Sequence, residues 1–227
     1  MDFELGEVLL VNKPLKWTSF DVVNKLRYAL KQKLGNRIKV GHAGTLDPLA
    51  TGLLIICTGK MTKKIDEFTG MDKEYTGSFY IGGTTATYDS ELAMNATFPT
   101  EHIDNAMLQS TAVKFVGEIE QMPPIYSAIK IDGNAAYKAA RKGEEIVMKS
   151  RKVTIREFEL TQIEMPLVYF RVVCSKGTYI RSLAFDYGIA LKSGAYLAGL
   201  CRTKIGIFNV KDAKDVDTWV KEIQAPS

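Results

Sequence analysis

The chain has 227 residues, 46% of them hydrophobic, and 30 Lys and Arg against 26 Asp and Glu for a net charge of +4. That balance excludes disorder and supports a core that buries roughly 70% of the unfolded surface. Three cysteines without C-x-x-C spacing and only two histidines exclude a disulfide framework, a cysteine-rich zinc site and a multi-histidine metal centre.

In chain order, residues 7–11 read as a short strand. Ser19 is placed as the N-cap of a helix whose apolar positions Val22, Val23, Leu26, Ala29, Leu30 and Leu34 follow the 3.6-residue period, with Gly35 as its stop. Residues 52–58 form a buried-type strand, and alternation predicts strands at Tyr75/Gly77/Phe79/Ile81, Val153/Ile155 and Val168/Phe170/Val172/Cys174. Helical patterns cover 101–113, 134–141, 178–191 and a shorter stretch, 217–223. No repeat or low-complexity linker interrupts them, so one α+β domain over residues 1–227 is expected, with a short C-terminal tail from 211. The longest apolar run, residues 53–57, is too short to span a membrane, and the N-terminus lacks a basic secretory n-region. A cytoplasmic protein is therefore expected.

Positive charge is concentrated in two places. Residues 13–39 hold eight basic residues against one acidic, and residues 130–156 hold eight against three. Such asymmetry suits a phosphate-binding face, and a solvated helix face produces it equally well.

Three stretches carry the chemistry. In GHAGTLDPLATG (41–52), glycines permit tight geometry and Pro48 keeps Asp47 out of the α conformation, which suits a pinned catalytic carboxylate and equally an Asp-Pro turn. In QMPPIYSAIK (121–130), two prolines enforce an extended segment ahead of a Tyr, a Ser and a Lys. In CSKGTYIR (174–181), a strand ends and a helix begins; main-chain N–H groups at that helix start suit a phosphate, and Arg181, one turn in, suits a carboxylate partner or equally a buried structural ion pair.

Together with AYLAGLCRT (195–203), Asn12-Lys13-Pro14, Thr18-Ser19, Lys73-Glu74-Tyr75 and Arg151-Lys152-Val153-Thr154, these segments resemble, in this order, the catalytic domain of the TruB-type tRNA pseudouridine-55 synthases. The resemblance runs from about residue 8 to about residue 210. It departs from the family pattern at Lys16, where relatives have Gly, at Ala86 and Leu92, where they have Asp and Gly, and at Tyr196, a frequent His.

The resemblance implies a pseudouridine-synthase fold: a mixed, largely antiparallel sheet with flanking helices and a basic RNA-binding insertion at about 124–152. It implies isomerisation of a T-loop uridine by base flipping, with no cofactor and no metal. It places the catalytic role on Asp47, Tyr75 and Arg181, with Arg181 paired to Asp47 and Tyr75 stacked on the uracil. Contacts to the flipped nucleotide fall to His42, Tyr179 and Leu200, and contacts to the RNA backbone to Lys13, Lys130 and a basic helix at 137–142. The partner is the T-arm of tRNA, with no membrane, and a monomer is expected. Many relatives add a C-terminal PUA-type RNA-binding domain, so this chain is expected to grip tRNA with its catalytic domain alone. Two other readings share these residues: a tRNA-folding factor without catalysis, and the guide-RNA-dependent branch of the superfamily.

Overall fold

The computed structural model describes residues 1–127 and 148–226, with only the backbones of strands β8 (Lys130–Ile131) and β9 (Asn134–Ala135) between them. The contacts divide the chain into two compact units: Met1–Thr76 with Leu200–Ser227, and Gly77–Gly199.

The first unit is built around β3 (Ala50–Thr58). β1 (Val8–Lys13) pairs with it antiparallel, from Val8 opposite Cys57 to Lys13 opposite Gly52. β2 (Val40–His42) also pairs antiparallel to β3, whereas β12 (Ala195–Ile205) runs parallel to it through Leu200–Ala50, Cys201–Thr51 and Arg202–Gly52. β13 (Phe208–Asn209) closes on the end of β12. The apolar run of β3 splits by parity, as the two-residue period of a strand requires. Leu54 and Ile56 pack on one side with Leu9, Val11, Leu26, Leu30 and Trp219. Leu53, Ile55 and Cys57 pack on the other with Ala43, Phe68 and Ile205. A strand buried on both faces reads as an unbroken apolar run, and residues 53–57 do so.

Helix α1 (Ser19–Leu34) buries Val22, Val23, Leu26, Ala29 and Leu30, the stripe expected from its period, and ends at Gly35 with φ 74°. Its N-cap is Thr18, one residue before the expected Ser19. Thr18 and Asp21 form a capping box, while the Ser19 hydroxyl is committed elsewhere. A 3-10 turn (Gly59–Lys64) leads into α2 (Ile65–Gly70), and α5 (Val216–Gln224) packs Val216, Trp219 and Ile223 onto the α1 side of the sheet.

In the second unit β10 (Arg151–Glu164) lies between β11 (Leu167–Cys174) and β7 (Gly117–Gln121), all antiparallel. β5 (Gly83–Thr85) and β6 (Met94–Thr97) form a small separate sheet. The core is aromatic: Phe79 stacks on Phe170 at 4.3 Å, and Phe158 and Tyr187 pack edgewise or tilted around them. Tyr187 belongs to α4 (Ile180–Ala190), and its hydroxyl donates to the Leu108 carbonyl of α3 (Asn105–Val113).

β4 (Lys73–Ile81) and β12 contribute residues to both units. Among the described residues the main sheet has nine strands and is mixed and largely antiparallel, so the α+β class stands. The helix read over 101–113 starts only at Asn105, because Asp104 caps it by accepting from the Met107 N–H. Helix 178–191 is shorter at both ends. Of the helix read over 134–141, Asn134 and Ala135 are strand, and the rest lies outside the described residues. Among the described residues no helix is long and apolar enough to cross a membrane.

Candidate active site

Asp47 stands on the loop between β2 and β3, and neighbouring elements fix that loop by its main chain. The Ser19 hydroxyl accepts from the Leu46 N–H at 2.8 Å and donates to the Leu46 carbonyl at 3.2 Å. The Lys16 N–H donates to the Pro48 carbonyl at 2.7 Å, and the Ala50 N–H to that of Asp47 at 3.0 Å. The buried Arg202 guanidinium donates to the carbonyls of Leu53 (2.8 Å), Gly44 (3.1 Å) and Thr45 (3.4 Å). Gly52 explains how β12 approaches so closely: its φ is +102°, and a Cβ there would stand 2.4 Å from the Arg202 carbonyl oxygen.

Beneath the loop lies Lys13, fully buried, with its ammonium donating to the carbonyls of Trp17 (2.6 Å) and Pro14 (2.9 Å). Burial pulls its pKa down to about 8; the charge of Asp47 works against that shift, Arg202 works with it and Asp21 against it. A buried ammonium held by two main-chain carbonyls is not a surface phosphate ligand. Lys13, expected to contact the RNA backbone, is placed with its ammonium on these two carbonyls inside the protein.

Other expected residues of the first unit sit on the same strands. His42 ends β2, half-buried; its Nδ1 has no hydrogen-bond partner among the described residues, and burial followed by the Arg202 charge pushes the ring toward its neutral form. Leu200 pairs with Ala50, and the Thr51 hydroxyl reaches its carbonyl at 3.5 Å. Tyr75 is buried on β4. The neighbouring Glu74 carboxylate binds the Thr203 hydroxyl at 2.7 Å and the Lys204 ammonium at 3.2 Å, tying this end of β4 to β12.

In the second unit Arg181 is buried on the first turn of α4. It donates to the carbonyls of Tyr126 (3.0 Å) and Thr87 (3.3 Å) and pairs with the buried Asp89 at 3.6 Å. Asp89 also accepts from the Thr87 hydroxyl (2.6 Å) and the Glu91 N–H (3.0 Å). Tyr179, half-buried, is the residue before α4 and has no side-chain cap. Instead the fully buried Gln121 clamps its main chain: the Gln121 amide donates to the Tyr179 carbonyl at 3.0 Å, and the Tyr179 N–H donates back to Gln121 Oε1 at 2.8 Å. The Arg151 guanidinium lies 4.5 Å from the centre of the Tyr179 ring.

No role for Gln121 or Arg202 follows from the sequence motifs. For Gln121 a signal existed, since it shares the parity of Ile119 on β7 and so points a polar amide to the inner face. For Arg202 there was none, because its acceptors lie about 150 residues away. The Lys130 side chain and the basic helix expected at 137–142 lie outside the described residues. Of the departures from the family pattern, Lys16 takes the φ of +67° that a glycine would favour, and Tyr196 stacks on Tyr80 at 5.1 Å.

Comparison with known proteins extends the resemblance. Residues 29–180 match the family model described as TruB family pseudouridylate synthase (N terminal domain). The chain is 59% identical over 221 residues to the tRNA pseudouridine synthase B of Flavobacterium johnsoniae, covering 96% of each protein. It is 53% identical over 220 residues to that of Phocaeicola vulgatus, covering 96% of this chain and 94% of the relative. Among solved structures, a chain of a Cbf5-Nop10-Gar1 complex matches with TM-score 0.71 and 28% identity over 96% of this chain, which spans 56% of that larger one.

Proposed function

Because the chain belongs to the TruB family of pseudouridylate synthases, we propose that it converts the T-loop uridine at position 55 of tRNA to pseudouridine. In this isomerisation the N1–C1′ bond breaks, the uracil turns, and a C5–C1′ bond forms. C5 gives up a proton and N1 takes one, so atoms and electrons balance within the substrate. No cofactor, metal or membrane enters the proposal, which takes the enzyme as a cytoplasmic monomer.

Asp47 is the catalytic carboxylate of this reading. Attack at C1′, attack at C6 and removal of the C2′ proton all start from its anion. The Lys13 ammonium supports that anion electrostatically, and Arg181 is assigned as its partner. The target base is flipped out of the RNA so that the carboxylate can reach it. Tyr75 stacks on the uracil and assists loss of the C5 proton, while Leu200, His42 and Tyr179 contact the flipped nucleotide. Lys130 meets a backbone phosphate.

The observation that carries the reading is the Asp47 loop, whose carbonyls and N–H groups are committed to Ser19, Lys16 and Arg202. Such a loop presents its carboxylate without reorganisation during the reaction. Tritium release from tRNA carrying 5-tritiated uridine tests it. Wild type releases tritium, and Asp47→Asn falls to background while still binding tRNA. Release by Asp47→Asn at the wild-type rate overturns the assignment.

A further inference from the structure

α1 has a second face that packing leaves to solvent. Two large aromatics stand on it, Phe20 with 58% and Tyr28 with 62% of its surface exposed. Eight residues of helix separate them by about 12 Å along the axis. At 100° per residue Asn24, Arg27 and Lys31 fall on the same face.

This face is pre-arranged. Arg27 donates to the Asn24 side chain at 2.9 Å and to the Val40 carbonyl at 3.0 Å, and its guanidinium stands 5.9 Å from the Phe20 ring centre. The Gln32 amide donates to the Tyr28 hydroxyl at 3.0 Å. The electrostatics are one-sided. Lys25 and Lys31 are exposed, and the one acidic residue of the helix, Asp21, has its carboxylate committed to the Thr18 N–H (2.8 Å) and hydroxyl (2.7 Å). On the buried side of the same first turn, Ser19 binds both main-chain groups of Leu46 beside Asp47, so the helix and the loop are fastened together.

A protein-binding patch is characterised by an apolar centre depleted of charge. Ring faces interleaved with cations instead suit a single nucleic-acid strand, whose bases stack while its phosphates meet the cations. We infer that the solvent face of α1 is a docking track for the substrate RNA, with bases stacked on Phe20 and Tyr28 and phosphates met by Lys25, Arg27 and Lys31. This rests on the proposed function for the identity of the RNA.

The test measures binding of an unmodified tRNA transcript to the full chain across a salt series, with pseudouridine formation by wild type scored in parallel. The double variant Phe20→Ala/Tyr28→Ala binds roughly tenfold more weakly or worse. Lys31→Ala flattens the slope of log affinity against log salt by about one. Ile207→Ala, at a residue 90% exposed, binds as wild type does. All three melt with wild type, since exposed truncations leave the core intact. Wild-type affinity in the double variant overturns the inference alone, provided wild type makes pseudouridine. Wild type that makes none overturns the proposed function and this inference with it.

Discussion

Two lysines at the start of the chain show what single residues contribute to the Asp47 loop. Lys16 holds φ at +67° while its N–H binds the Pro48 carbonyl, so a side chain occupies a left-handed position next to the Asp47 loop. The conformation costs an L-residue about 1–2 kcal/mol, partly offset by the smaller freedom of a non-glycine residue in the unfolded chain. Lys16→Gly is expected to raise stability by about 0.5 kcal/mol and Lys16→Val to lower it by about 1 kcal/mol or more, read from urea midpoints. Lys13 makes a pH prediction. Its folded pKa of about 8 lies below the ordinary 10.5, so between those values the unfolded chain binds more protons than the folded one. The contribution of this group to stability therefore rises with pH across that window, by about 3 kcal/mol at most. Denaturation of wild type against Lys13→Met at pH 7.5 and pH 10 checks it: the variant lacks the relative gain. An equal response in both proteins would remove Lys13 as its source.

At the level of elements, the main question is how the chain turns from β11 into α4 and sets Arg181. No side chain caps that helix; the Gln121 amide occupies both main-chain groups of Tyr179 instead. Gln121→Leu strands a buried donor and acceptor, at about 1–3 kcal/mol each. It is expected to lower both the thermal midpoint and turnover on tRNA. Gln121→Glu keeps the acceptor for the Tyr179 N–H and regains the donor when protonated, so its turnover relative to wild type recovers as pH falls. Turnover of Gln121→Glu that follows wild type at every pH would count against the clamp. The elements themselves were largely legible. The α1 stripe, the β3 run and the alternation of β11 follow local periodicities, and the glycines and proline around Asp47 marked its loop. β12 escaped because AYLAGLC is rich in helix-forming Ala and Leu, and its strand state comes from pairing with β3. The supports of the site escaped for a related reason. Lys13 reads as a surface residue, and Gln121 and Arg202 acquire partners only once distant segments meet.

For the whole molecule, membership of the TruB family makes a prediction in cells. Bulk tRNA from cells lacking this chain carries uridine at position 55. Re-expressed wild type restores pseudouridine there, and Asp47→Asn does not. Mapping the base by chemical modification and sequencing checks it, and a fully modified site in the deletion would refute it. The first unit joins the beginning of the chain, Met1–Thr76, to its final stretch, Leu200–Ser227. The guanidinium that rivets the Asp47 loop comes from that final stretch, 149 to 158 residues after the carbonyls it binds. A ribosome thus makes the carboxylate early and its fastening late. Until residue 202 is made, the loop lacks the three main-chain contacts that this guanidinium supplies. Translation order sets the fastening of the loop about 150 residues behind the loop itself.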